Sequence, residues 1–256
     1  MKWGRSTYEH LGSMENPLRF AKEILGFQPD EPQARILREA LQFKQIMLNC
    51  SRQWGKSTVV AVLALYWLLM NRGATVLVVG PVQKQAGETV GKVRFFLKKL
   101  GIRTRGDRAN PGAAVLPNGS RIIALPAVEA SVRGFSAVGL LIIEEASGVP
   151  DEACLALLPC LSVSDGDLIV LSTPKGKRGF FYREMTEERP DVLRHTGPVT
   201  ECGRVSERVL VVERSRGDEY FRQEYLCEFV EDGKYLFNEG LVKKMGNPKE
   251  QGWRIL

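Results

Sequence analysis

Apolar and polar positions alternate along this chain in a repeated pattern. Short apolar runs are followed by polar loops, and the loops by longer stretches whose apolar positions recur at helical spacing. The clearest unit runs from Ile46-Met-Leu-Asn-Cys50 through a polar loop to Gly55-Lys56-Ser57, then into an apolar segment from Thr58 to Met70 free of Pro and Gly. That order predicts strand, loop and helix. A second continuous apolar run, Thr75 to Gly80, predicts a strand buried on both faces, and Lys84 to Leu100 predicts a helix with Val90, Val93, Phe96, Leu97 and Leu100 on one side. Upstream, residues 15–26 read as an amphipathic helix stopped by Gly26, and a turn-rich stretch leads into a helix from Gln33 to Phe43.

Downstream, Ala113–Leu116 and Arg121–Leu125 are expected to form a hairpin across Pro117-Asn118-Gly119. Val138–Ile143 is a third buried strand, ending in Glu144-Glu145, and Asp167–Leu171 a fourth, ending in Ser172-Thr173-Pro174. Past these, 179–188, 192–199, 207–214 and 219–229 give a smaller, less repetitive region. Strand and helix alternating in this way imply right-handed crossovers in a parallel α/β sheet.

Composition narrows the picture only in part. The chain has 256 residues, 44% of them hydrophobic and 26% charged, which suits one large domain with a small appendage. A net charge of +6 and a pI near 9.1 point toward a polyanionic partner. The five cysteines are odd in number and scattered, so a reduced, cytosolic setting is expected, without zinc or disulfides. His10 and His195 are too few for histidine-based chemistry, and His195 reads as structural. The N-terminus lacks the apolar core of a signal peptide, and the run Val59–Met70 is too short to span a bilayer.

The candidate chemistry sits at the strand ends. Ser51, Arg52, Gln53, Trp54, Gly55, Lys56, Ser57 and Thr58 form a phosphate cradle: backbone N–H groups at a helix N-terminus face an anion, Lys56 reaches the β/γ-phosphates, and Ser57 holds Mg²⁺. The usual opening glycine of such a loop is replaced by Cys50. Gln33 could read an adenine edge through its amide, or be merely a solvated glutamine at a helix entry. Glu144 and Glu145, adjacent carboxylates after an apolar strand, are costly unless they face a cation, water or substrate. Ser172 and Thr173 could sense a γ-phosphate. The stretch Gly101–Gly112 reads as a mobile basic loop. Its Arg103, Arg105 and Arg108, with Lys98, Lys99 and Arg121, could form a footprint for a nucleic-acid backbone or remain an ordinary charged surface.

Taken together, Ser51-Arg-Gln-Trp-Gly-Lys-Ser57, Ile142-Ile-Glu-Glu-Ala-Ser147, Leu171-Ser-Thr-Pro174 with Lys175-Gly-Lys-Arg-Gly-Phe-Phe-Tyr182, and Phe221-Arg-Gln-Glu-Tyr-Leu-Cys-Glu-Phe229 make the chain resemble, from about residue 27 to 232, the ATPase domain of a large terminase subunit. These are the DNA-packaging motors of tailed bacteriophages and related viruses. The resemblance implies an α/β P-loop NTPase of the ASCE type, with a mainly parallel sheet flanked by helices and a small lid subdomain. It implies ATP and Mg²⁺ as cofactors, and double-stranded DNA, the portal and the small terminase subunit as partners. It further implies a homo-oligomeric ring, a pentamer on the portal, working in the host cytoplasm with no membrane.

The resemblance gives Lys56 the phosphates, Ser57 and Glu144 the metal, and Glu145 the role of catalytic base. Arg52 takes the place of the phosphate-loop arginine, Ser172 and Thr173 the coupling motif, and Gln33 the adenine-reading glutamine. The metal-side carboxylate is more often Asp, and the exchange of roles between Glu144 and Glu145 stays open. The arginine finger is either Arg133, acting in trans, or Arg52, acting in cis. The expected organisation is an ATPase core over 1–176, a lid over 177–245, and the start of a linker over 246–256 leading to an absent nuclease domain, so no nuclease activity is expected of this chain. Two alternatives remain: a helicase-like ATPase on other nucleic acids, and a nucleotide-gated assembly module with little turnover. No Asn-Lys-x-Asp guanine-reading motif occurs.

Overall fold

The computed structural model describes residues 16–107, 110–128 and 134–231. Its strands are β1 (Gln45–Cys50), β2 (Thr75–Gly80), β3 (Arg105–Asp107), β4 (Asn110–Val115), β5 (Arg121–Pro126), β6 (Leu140–Glu144), β7 (Asp167–Ser172) and β8 (Val192–Gly197). They lie in one sheet in the order β3-β4-β5-β2-β6-β7-β1-β8. From β5 to β8 every neighbouring pair is parallel, while β3 and β4 extend the edge antiparallel. The expected α/β fold, with a mainly parallel sheet, is therefore present.

Around the sheet are α1 (Pro17–Arg19, continuing as a π-turn to Ile24), α2 (Glu31–Glu39), α3 (Lys56–Met70), α4 (Gln83–Lys99), α5 (Asp151–Leu157), α6 (Gly179–Thr186), α7 (Glu207–Arg214) and α8 (Asp218–Glu224). Alternation along each strand sorts the core into two layers. Ile46, Leu48, Ile142, Ile169 and Leu171 pack with α3 and α4 on one face, and Met47, Ile143, Leu168 and Val170 pack with α5 and α6 on the other. Because α3 is enclosed almost all round, its sequence is apolar on every side.

Local chemistry explains where the elements begin. Asp30 accepts from the Gln33 N–H while the Gln33 side chain returns a bond to the Asp30 N–H, so α2 starts two residues before its first expected position, at Glu31. The hairpin across Asn118-Gly119 forms as expected, with Ala114 opposite Ile122 and Val115 opposite Arg121.

The basic stretch after Gly101 departs from expectation: rather than a loop, Arg105–Asp107 pairs with the β4 strand beginning at Asn110. Gly106 and Pro111 mask a strand in sequence, but Pro is tolerated near a sheet edge and the exposed edge of β4 is a ready partner. Of the expected lid, the described residues 177–231 are also divided. Phe180 and Phe181 of α6 pack into the main core, and β8 pairs with β1. A separate small cluster gathers Val199, Phe221 and Tyr225 with Val205, Leu210 and Leu226. No described helix is long and apolar enough to cross a membrane.

Candidate functional site

The loop between β1 and α3 is held from three sides. Gly55 caps α3 with φ +93°, a conformation that favours glycine, and a Cβ there would fall 2.6 Å from Gln33 Nε2 and displace that amide. Cys50 ends β1 inside the strand; the left-handed positions of the loop fall at Gln53 and Gly55. That is why the usual opening glycine can be replaced here. Below the loop, the fully buried Trp54 donates its indole N–H to Glu201 Oε2 at 3.0 Å and lies against His195 and over Gly197, where a Cβ would collide with the ring. His195 Nε2 is 3.0 Å from the same Glu201 oxygen, which makes this histidine a support for the loop, as its strand position suggested.

Gln33 and Arg204 both donate to the Trp54 carbonyl, and Arg204 also pairs with Asp30. Gln33, only 2% exposed, spends its amide on the loop and on the Asp30 N–H, so in this structure it braces the β1–α3 loop rather than facing an open pocket. The resulting cradle suits an anion. Among the described residues no carbonyl accepts from the N–H groups of Gly55, Lys56 and Ser57, and the buried Ser51 hydroxyl has no hydrogen-bond partner.

Across from the loop stand the two glutamates. Since β7 lies between β1 and β6, the ends of β1 and β6 are separated by two strand spacings, roughly 10 Å. Lys56, buried at the start of α3, reaches into that gap, and its Nζ is 3.6 Å from Glu145 Oε1. Glu145 sits just past β6 with φ +48°, an uncommon conformation for a residue with a Cβ, and one that turns it out of the strand's alternation.

Glu144 keeps the strand's alternation. It is 4% exposed, lies on the α3/α4 face of the sheet, and accepts a hydrogen bond from Thr89 in α4. Burial pushes its carboxyl up to about 7, opposed by the Thr89 bond and by the nearby Lys92. Burial in turn lowers the ammonium of Lys92, while Glu144 and Glu88 pull it back up. The two adjacent carboxylates thus occupy different environments, Glu145 paired with Lys56 and Glu144 buried with one oxygen on Thr89.

Ser172 and Thr173 are tied to the turn that follows the glutamates. The Ser147 N–H donates to Ser172 Oγ at 3.2 Å, and Ser147 Oγ donates to the Thr173 carbonyl at 2.7 Å. No group of three or more His, Cys, Asp or Glu is poised for a metal among the described residues. A hard divalent ion held largely by phosphate oxygens and water asks less of the protein: one hydroxyl and one carboxylate, the donor types that Ser57 and Glu144 carry, are enough.

The remaining expected residues are dispersed. Arg52 is engaged by α8, with its Nε 2.5 Å from Glu224 Oε2 at the helix end and its backbone N–H donating to the Glu224 carbonyl. Arg133 and Arg108 lie outside the described residues. The basic group separates: Lys99 donates to the Leu25 carbonyl at 2.6 Å and lines a cleft with Thr58, Lys92 and Phe95. Arg105 and Arg121 instead line a cleft at the amino end of β2 and β5, and Lys98 and Arg103 are exposed. Sequence reasoning missed Thr89, Lys92, Glu201, Arg204 and Glu224, none of which lies in a recognisable spacing with the residues it meets.

A family model described as "Terminase large subunit, T4likevirus-type, N-terminal" matches residues 47–244. Among solved structures, the chain is similar to the large terminase ATPase domain of Thermus phage P74-26, at 25% identity and a TM-score of 0.72, covering 84% of this chain and 99% of that one. It is also similar to the large terminase of a thermophilic bacteriophage solved in complex with ADP, at 14% identity and a TM-score of 0.68, covering 79% and 54%. The large terminase of bacteriophage HK97 matches at 16% identity and a TM-score of 0.67, covering 79% and 51%. The chain thus spans about half the length of the ADP-bound and HK97 proteins, and at those identities the likeness speaks to fold.

Proposed function

The chain belongs to the large terminase subunit family, and on that premise we propose that it is an ATPase motor domain that hydrolyses ATP to move double-stranded DNA into a viral procapsid. The observation that carries this reading is the approach of Lys56 to Glu145 across the gap above β7. A phosphate-binding cation and a carboxylate able to orient water face one another where a γ-phosphate would lie.

In this reading the loop N–H groups and Lys56 would hold the triphosphate, and Ser57 and Glu144 would hold Mg²⁺, which would supply neutralisation of charge on the phosphate oxygens. Glu145 orients the attacking water. Lys56 and Glu145 are paired in the structure; a triphosphate would draw the lysine to itself and leave the carboxylate facing the cleft. Ser172 and Thr173, bonded to the turn after Glu145, would transmit the change to the sheet. Arg52 would act in cis only after leaving Glu224, whereas Arg133 is the candidate for action on a neighbour in a homo-oligomeric ring. The portal and the small terminase subunit are the proposed partners, and the host cytoplasm the proposed setting.

The test is steady-state phosphate release with and without duplex DNA, paired with nucleotide binding. Glu145→Ala is expected to lower turnover by about 10²–10⁴-fold while leaving ATP bound. Near-normal turnover in that variant would refute the assignment.

A further inference from the structure

Resting on the reading of Glu144 as the metal-side carboxylate, we infer that Thr89 is a positioning residue: its hydroxyl holds one oxygen of Glu144, so that the other is presented to the cation and the phosphate loop. Thr89 is fully buried in the second turn of α4 and donates to Glu144 Oε1. A valine would pack in the same volume, and a β-branched residue gains nothing for the helix itself, so the hydroxyl has its use in this bond. The helix that carries it is locked in height. A Cβ on Gly80 would meet the Ala86 nitrogen at 3.0 Å, three residues before Thr89, and Gln83 Nε2 bonds the Ala124 carbonyl at 2.9 Å. Thr89 therefore cannot follow the carboxylate; the carboxylate must come to it.

This gives the glutamate at that position a physical account. One methylene longer than aspartate, Glu144 has an additional torsion that leaves its oxygens free to wander, and a fixed donor on the neighbouring helix removes that freedom. Partners of this kind, one bond away from a metal ligand, change metal affinity or activity by about 10–100-fold when removed.

The experiment follows binding of a fluorescent ADP to the full chain as Mg²⁺ is titrated. Thr89→Val is expected to keep the metal-free ADP affinity of the wild type and to move the Mg²⁺ midpoint up by about 10–100-fold, with Thr89→Ser restoring it. A wild-type Mg²⁺ midpoint in Thr89→Val overturns the inference, as does an equal loss of ADP affinity without metal. If Thr89→Val does not fold by thermal melt, Thr89→Cys, a weaker donor of similar volume, carries the same comparison: a raised midpoint supports the assignment and an unchanged one overturns it. A wild-type chain that binds no ADP, or whose ADP binding ignores Mg²⁺, removes the reading of the site and this inference together. A responsive wild type with an indifferent Thr89→Val removes the inference alone.

Discussion

The two ends of the sheet handle charge in opposite ways. At the carboxyl ends of β1 and β6, Lys56 and Glu144 are buried, and each is within reach of a specific partner, Glu145 and Thr89 respectively. At the amino ends of β2 and β5, roughly 17–20 Å away along strands of this length, Arg105 and Arg121 are exposed beside an open cleft. Buried charge interacts strongly and in one geometry, as bond-breaking requires; exposed charge interacts weakly and adaptably, and adds up only over a polymer. The contrast breaks most directly at Lys56. Lys56→Ala removes the cation facing Glu145, and turnover is expected to fall by about 10²–10³-fold or more, with nucleotide affinity falling alongside. Phosphate release and equilibrium binding, measured together, check this; retention of both would mean that the buried end is not the reactive one.

The second test uses stability. Glu144 has its folded-state carboxyl at about 7 against an ordinary value of 4.5, so between those values the folded chain binds more protons than the unfolded one. Stability contributed by this group therefore falls as pH rises through that window, and above it the full cost, about 3 kcal/mol, is present. Glu144→Gln cannot ionise. In metal-free buffer its stability relative to the wild type is expected to improve from pH 5 to pH 8, read from urea midpoints at both. An equal difference at the two pH values would show that Glu144 is not held in an unfavourable charged state, and the contrast between the two ends would lose its sharpest term.

Much of this was legible in the sequence. The order of apolar runs located the central parallel strands, because strands buried on both faces must be continuously apolar, and Gly55-Lys56-Ser57 located the cradle because a left-handed turn before a helix leaves few residue choices. What the chain order hid were meetings across elements. Thr89 is an unremarked threonine on a helix until β6 places Glu144 beneath it. Gln33 reads equally as a base reader or a solvated helix-entry residue, and only the fold buries it and turns its amide into the loop. Arg52 reads as a finger, but α8 supplies Glu224 as its partner. The strand at Arg105–Asp107 was hidden because edge pairing depends on an available neighbour more than on the strand's own residues.

The smallest expected effect lies at the exposed end. If the Arg105 and Arg121 cleft meets a DNA backbone, each side chain neutralises about one phosphate, and its loss weakens binding without regard to base sequence. Arg121 is tied by its Nε to Thr75 Oγ1 at 3.0 Å, an arrangement that fixes the guanidinium on the rim without neutralising it. Arg121→Gln and Arg105→Gln should each reduce the slope of log affinity against log salt by about 1, and the double variant by about 2, with ATP turnover in the absence of DNA unchanged. Duplex binding measured across a salt series reads the slope directly. A slope left intact in the double variant would place the DNA elsewhere and leave these arginines as surface charge. A slope that falls together with DNA-free turnover would show that the two ends of the sheet are not independent, and the division between a reactive end and a gripping end would have to be redrawn.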